Sequence, residues 1–235
     1  MRFNIITTIP ESCAVYAESS MLGRAQKKKI IKINPINPRD FTNDKHKTVD
    51  DKAYGGGPGM VLKIEPIYKA VQSVKRKTKN KKTKHRVILF STRGKLFTQK
   101  EAKRLAKYDE LTLICGRYEG VDERVAKYIA DEEISIGEYV LSGGELPALV
   151  VTDAVARHIK GVLGKEASLE EVKGSYPVYT RPETFRLNVK GQGSNVLRVP
   201  KALLTGNHKQ IEAWRRKHGK NVPNINANNK TRGQK

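Results

Sequence analysis

Apolar positions in the first two thirds of the chain follow two rhythms, short unbroken runs and stripes spaced three and four residues apart. Val87 to Phe90 (VILF) and Leu111 to Cys115 (LTLIC) are compact, β-rich apolar runs that read as strands. Between them Ala102, Leu105 and Ala106 mark one helical face, with Thr98 and Glu101 at capping-box spacing ahead of it. Turn residues at Ser91 to Gly94 and Tyr108 to Glu110 punctuate the three. Strand, helix, strand in this order predicts a βαβ unit and a parallel sheet, and hence an α/β domain. Upstream, Ile67, Ala70, Val71 and Val74 share one stripe of Ile64 to Val74, with Pro66 near its start, which predicts a helix laid on that sheet. Downstream, Glu133 to Ile136 reads as a strand, and Ser142 with Glu145 makes a second capping box before Leu146, Leu149, Val150 and Val155.

Beyond Gly164 the rhythm is lost. KEASLEEVKGSYPVYTRP carries charge, Gly174, Pro177 and Pro182 but no sustained apolar face, and reads as a linker. A short helical module follows, Pro200 to Leu204 and Lys209 to Arg216, split by Thr205, Gly206 and Asn207. The expected organisation is an α/β domain over 1–163, a linker over 164–180, a small helical domain over 181–220 and a basic, disordered tail over 221–235.

Charge changes this picture most. The 235 residues hold 46 Lys plus Arg against 24 Asp plus Glu, a formal net charge of +22. At 37% hydrophobic residues a real core is available, which excludes disorder throughout. The charge is unevenly placed. Lys75 to Arg86 carries eight Lys or Arg and no acid, and Arg198 to Lys235 carries ten against the single Glu212. A polyanion, nucleic acid first, is therefore the expected partner, because each neutralised phosphate releases counterions. No window approaches the roughly 18 apolar residues of a membrane span, and Pro10 and Glu11 interrupt any signal-like run, so a cytoplasmic location is expected. Cys13 and Cys115 form neither a disulfide framework nor a zinc-site spacing.

Three glycine-bearing segments supply candidate chemistry: Tyr54 to Met60 (YGGGPGM), Gly116 to Gly120 (GRYEG) and Ile136 to Leu146 (IGEYVLSGGEL). Glycines let a ligand approach main-chain amides, and clustered after the strand ends of a parallel sheet they suggest a crevice. Neither the GxGxxG fingerprint nor a P-loop lysine motif is present, so the crevice's ligand is not identified by these residues alone.

Seven segments together carry a resemblance: DDKAYGGGPGM (Asp50 to Met60), LICGRYEGVDERV (Leu113 to Val125), SIGEYVLSGGELPA (Ser135 to Ala148), DAVAR (Asp153 to Arg157), GVLG (Gly161 to Gly164), YTRP (Tyr179 to Pro182) and LLTGNHKQIEAWR (Leu203 to Arg215). In order and near spacing, they resemble the bacterial tRNA (guanine-N(1)-)-methyltransferase family. The resemblance implies a SPOUT-type enzyme, a homodimer whose parallel-sheet α/β domain is tied in a deep trefoil knot around S-adenosylmethionine and is followed by a small helical domain. It implies methylation of N(1) of the guanosine at position 37 of tRNA, with a guanosine preferred before it. The donor site it implies comprises Phe90, Ser91, Gly116 and Glu119, the run Ile136, Gly137, Glu138, Tyr139, Val140 and Leu141, and the glycines Gly143 and Gly144. On the tRNA side it implies Asp50, Tyr54, Arg181, Asn207, His208 and Arg215.

Transfer to N(1) requires loss of its proton and stabilisation of charge on O6. Arg157 of DAVAR matches the family's arginine in the electrostatic role. The family's general-base Asp follows GVLG; its register here falls on Val172, and the segment before YTRP is shorter than the family's. Glu171, with Glu170 as the alternative, is the expected replacement. The departure motivates a second reading, a member that keeps the fold and binds RNA without methylating it, and a third with a shifted RNA target. The family is regarded as Mg2+-assisted, but no carboxylate cluster marks a metal site, and none is assigned.

Overall fold

Five strands form a parallel sheet in the computed structural model, which describes residues 1–77, 82–164, 175–189 and 193–219. In spatial order they are β2 (Lys32–Ile36), β1 (Arg2–Ile6), β6 (Glu110–Ile114), β5 (His85–Leu96) and β7 (Glu132–Ser135). Side chains alternate across the sheet, so each strand feeds two cores. Phe3, Ile5, Ile88, Leu111 and Leu113 pack toward α1 (Pro10–Ala17), α2 (Ser20–Lys27), α4 (Gln99–Leu105) and α6 (Glu145–Ala156). Ile6, Val87, Leu89 and Ile114 pack on the other face, toward α3 (Ile64–Lys77) and α5 (Glu123–Tyr128). Cover on both faces explains why β6 is buried at every residue, its polar Glu110 and Thr112 included. The α3 stripe behaves as its spacing predicts: Ile67, Ala70, Val71 and Val74 are at most 3% exposed. A minor antiparallel pair, β3 (Asp50–Asp51) with β4 (Val61–Leu62), holds the ends of the first glycine loop together.

Both predicted capping boxes are overridden by long-range partners. Thr98 precedes α4 but its side chain makes no cap hydrogen bond. The Glu101 carboxylate instead takes Lys95 Nζ and Arg104 Nε, each at 2.7 Å. Arg104 continues to Glu132 at 2.6 Å, and Glu132 to Arg86 at 2.9 Å, so a chain of alternating charges ties β5, α4 and β7. Glu101 is only 5% exposed, and a buried carboxylate gains more from cations than from a helix-end amide. At α6 the N-cap is Gly144 rather than Ser142, and Glu145 turns away from the helix end.

β5 runs well past the VILF segment. Phe90 and Lys95 both pair with Ile134, so Ser91 to Gly94 leave the sheet as an excursion before the strand resumes. Gly94 sits where that excursion returns: a Cβ there would stand 2.6 Å from the Ile134 backbone nitrogen, a contact no side chain tolerates.

The chain divides into two compact units, 1–164 and 165–235. In the second, α7 (Lys201–Leu204) and α8 (His208–His218) occupy the segments read as helical. Ahead of them stands an antiparallel hairpin, β8 (Thr184–Val189) with β9 (Gly193–Arg198), which corrects the all-helical picture of this part. Its signal is the alternation Phe185, Arg186, Leu187, a period-two pattern too short to outweigh the surrounding charge. Residues 165–174 of the expected linker, and the expected tail over 221–235, lie outside the described residues.

Candidate functional site

Because all five strands are parallel, the carboxyl ends of β5, β6 and β7 fall at one edge of the sheet, where a crevice forms between the loops that leave them. The loop after β6 (116–120), the loop after β7 (136–144) and the β5 excursion enclose a cavity of about 530 Å3. Its walls include Phe90, Ser91, Gly116 and Glu119. Ile136, Gly137, Tyr139, Val140, Leu141, Gly143 and Gly144 complete the set expected from the sequence. Glu138 does not belong: it is exposed and turned out of the cavity lining, although both its neighbours contribute.

The two principal loops are locked to each other. Arg117 bridges Gly143 in antiparallel fashion, and Gly144 N donates to Gly116 O at 2.9 Å. Gly144 is required by this approach, since a Cβ would lie 2.6 Å from Cys115 Cα. Glu145, 5% exposed, fastens the junction. Its Oε1 accepts from Thr7 Oγ1 at 2.6 Å, and Arg117 reaches it through Nε at 3.3 Å and Nη2 at 3.2 Å. The end of β1, the GRYEG loop and the start of α6 are thus held through one carboxylate. In the β7 loop Ser135 Oγ donates to Gly137 O at 2.9 Å and Tyr139 Oη to Ile136 O at 3.3 Å, folding the segment on itself.

Several wall residues escape a motif reading. Thr92 and Arg93 enter through the β5 excursion, and Arg93 Nη2 pairs with Glu123 at 2.7 Å across to α5. The Arg93 hydrogen bond holds the Glu123 carboxyl below its ordinary range. Ser135 and Glu133 come from β7 itself. The turn signal at Ser91 to Gly94 marked the excursion, while nothing local marked Glu133. Its Oε2 is buried and has no hydrogen-bond partner among the described residues, while the residue itself belongs to the cavity wall.

The cavity offers main-chain groups and carboxylates rather than a nucleophile. Burial pushes the Cys115 thiol well above its usual range, reinforced by Glu145, and raises Cys13 as well, so both behave as core residues. Among the described residues no group of three or more His, Cys, Asp or Glu is placed to hold a metal ion, and Mg2+ gains no support.

Other expected site residues of the first unit do not line this cavity. Arg157 is the C-cap of α6, about 20 Å along the axis from Gly144 at the helical rise of about 1.5 Å per residue. Asp50 lies in β3 and Tyr54 is fully exposed in the glycine loop, whose end meets the GRYEG loop through Glu119 N to Met60 O at 3.1 Å. In the second unit Asn207 caps α8, its Oδ1 accepting from Lys209 N and Gln210 N, which commits the side-chain oxygen to the helix end. His208 opens the same helix, and Arg215 lies 4.9 Å over the Tyr176 ring. Arg181 is exposed. Glu170 and Glu171 lie outside the described residues.

Comparison with known proteins gives one consistent result. The family described as tRNA (Guanine-1)-methyltransferase TrmD matches residues 1–228. A tRNA (guanine-N(1)-)-methyltransferase of Carboxydothermus hydrogenoformans is 49% identical over 222 residues, covering 92% of this chain and 82% of the relative. One from Dictyoglomus turgidum is 50% identical, covering 92% of this chain and 84% of the relative. The crystal structure of tRNA (m1G37) methyltransferase from Aquifex aeolicus superposes with a TM-score of 0.74 at 42% identity, covering 91% of this chain and 87% of that one. A parallel sheet with interlocked glycine loops at its carboxyl edge, and a match over nearly the whole length, lead to one conclusion: the chain belongs to the tRNA (guanine-N(1)-)-methyltransferase family.

Proposed function

We propose that this enzyme transfers the methyl group of S-adenosylmethionine to N(1) of the guanosine at position 37 of tRNA. The observation that carries the reading is the cavity closed by the interlocked 116–120 and 136–144 loops. Its volume of about 530 Å3 suits a ligand of the donor's size, within the roughly 300–1,000 Å3 of small-molecule sites. Main-chain groups at Ile136 to Leu141 and around Gly116 would hold the base and ribose. When bound, the donor supplies an electrophilic methyl on a sulfonium. The same loop interlock is in keeping with the knot implied by the family.

The acid–base side of the reaction falls to residues outside this cavity. Leu146, Val150, Asp153 and Arg157 are spaced four, three and four apart and share one face of α6. Leu146 is 59% and Val150 46% exposed, beside Tyr16 of α1, whose Oη donates to Asp153 Oδ2 at 3.1 Å. A second copy docked on this apolar face would bury it and carry Arg157 into a shared site, which supports a homodimer with composite active sites. Arg157 then stabilises charge developing on guanine O6, and Glu171, or Glu170, takes the N(1) proton. Asp50, Tyr54, Arg181, Asn207, His208 and Arg215 contact the tRNA. No helix described here is long and apolar enough to cross a membrane, and a cytoplasmic location fits the tRNA substrate. No observation favours a member that binds RNA without methylating it.

The test is mass-spectrometric mapping of a tRNA transcript carrying guanosines at 36 and 37, incubated with S-adenosylmethionine and protein. One methyl on N(1) of guanosine 37, lost in Arg157→Ala and in Glu171→Gln, is expected. Methylation elsewhere, or none with the unaltered protein, would overturn the reading.

A further inference from the structure

At the opposite edge of the same sheet, the register places residues of four different segments in one row. Lys32 pairs with Arg2, Arg2 with Glu110, and Glu110 with His85, so the starts of β2, β1, β6 and β5 are flush. At about 4.8 Å per strand the row is roughly 14 Å wide. Lys27, Lys28 and Lys29, at the end of α2, lead into one side of it, and all three are exposed. Lys75, Arg76 and Lys77, the last turn of α3, approach the other side, where Lys75 acts on the charge of His85, and exposed Lys84 precedes β5. The sequence showed only the second of these groups as a charge run.

Of the acids at this edge Glu110 is buried and paired with a cation, while Asp109 and Asp131 are exposed, hold backbone amides and keep their charge, outnumbered by the lysines around them. Glu110 is held by Arg2 and Asn4, Asp109 Oδ2 accepts from Lys84 N at 2.8 Å, and Asp131 Oδ2 from Val87 N at 2.7 Å. Basic residues at helix ends offset the negative end of the helix dipole, and one or two per helix suffice for that. Lys29 exceeds the need and works against the local backbone. It is the residue after the C-cap of α2, at φ 58°, and the turn is completed by Lys29 N to Gln26 O at 2.8 Å and Ile30 N to Ala25 O at 3.0 Å. This left-handed position favours Gly or Asn. A lysine held there in a disfavoured conformation points to use of its charge.

We propose that the amino-terminal edge of the sheet, centred on Lys27, Lys28, Lys29 and Lys32 and continued by the end of α3, is a second RNA-binding face that grips phosphates of a double-helical arm of the substrate tRNA outside the anticodon stem–loop. It rests on the tRNA reading above. Strands of five residues put this face about 17 Å from the donor cavity, beyond the reacting loop and within reach of a helical arm. Lysine ammonium groups recognise phosphate without reading bases, so the contact adds affinity and salt dependence rather than specificity.

The experiment compares a full-length tRNA transcript with its isolated anticodon stem–loop, using the full-length protein and Lys27→Gln/Lys28→Gln/Lys29→Gly. The variant should bind full-length tRNA about tenfold more weakly at low salt, with a log–log salt slope shallower by about two to three. Binding of the isolated stem–loop and of S-adenosylmethionine should be unchanged. Lys29→Gly alone should unfold at the same or a higher temperature yet still bind tRNA more weakly, an outcome a structural role for Lys29 does not produce. An unaltered salt slope on full-length tRNA would overturn the proposal while leaving the methyltransferase reading intact. Equal losses on tRNA and stem–loop would overturn the helical-arm assignment. If the unaltered protein fails to methylate either RNA but the variant still loses tRNA affinity, the face stands and the assigned reaction falls.

Discussion

The two edges of the parallel sheet are built from different materials. At the carboxyl edge, glycines bring backbones together and one buried carboxylate, Glu145, joins Thr7 to Arg117. At the amino edge, exposed lysines stand over acids already bonded to backbone amides or to Arg2. Parallel topology produces the asymmetry, because helices that follow strands point their N-termini at one edge and their C-termini at the other. The first edge suits a small ligand held by shape and main-chain groups, the second a polyanion held by charge. Errors therefore act differently: single atoms matter at the carboxyl edge, while only summed charge matters at the amino edge.

The largest effect is expected from Arg157→Ala, which probes whether the carboxyl edge works alone. Losing an electrostatic stabiliser of developing charge should lower kcat by about 100- to 1,000-fold. Because Arg157 lies outside the cavity lining, the affinity for S-adenosylmethionine measured by calorimetry should not change. A matching loss of donor affinity would mean the two functions are not divided as described.

Next come two changes at the loop junction. Gly144→Ala sets a methyl against Cys115 Cα, and overpacking of this kind costs about 1–3 kcal/mol. Glu145→Gln is isosteric but removes the charge that Arg117 and Thr7 share, with a similar cost of about 1–3 kcal/mol. Both should lower the unfolding midpoint and weaken donor binding together. By contrast, Lys28→Gln or Lys32→Gln at the amino edge should shift stability by no more than about 0.5 kcal/mol. Comparable destabilisation at both edges, measured by denaturant unfolding, would erase the distinction.

The sequence made one edge far more legible than the other, for physical reasons. Glycine loops, apolar strand runs and the α3 stripe are local signals, and two of the three glycine segments mark loops of the cavity. The Lys32, Arg2, Glu110, His85 row is a product of register between segments far apart in the chain, which no local pattern encodes. Glu101 and Glu145 sat at capping-box spacing, yet each found a stronger partner on another element. Glu133, on the cavity wall, had no local mark at all. Arg157 came from the family motif alone, since an arginine at the far end of α6 carries no local cue to chemistry.

The smallest effect concerns His85, the one member of the amino-edge row that can change charge near neutrality. Its Nε2 lies 2.8 Å from Thr112 Oγ1. Burial, chiefly, holds its pKa below the ordinary 6.5; Glu110 and Asp131 favour the cation, while Lys75 and Arg2 oppose it. A pKa depressed in the folded state means that the unfolded chain takes up the proton more readily. His85 therefore contributes stability that is present above about pH 6.5 and lost as pH falls through its lowered folded value. Unfolding midpoints of the protein and of His85→Gln, followed from pH 7.5 to 5, should converge as the pH drops. Midpoints that stay parallel would show that His85 is not held neutral, and the row would then gain a further cation in mild acid, which should steepen its salt-dependent grip on tRNA.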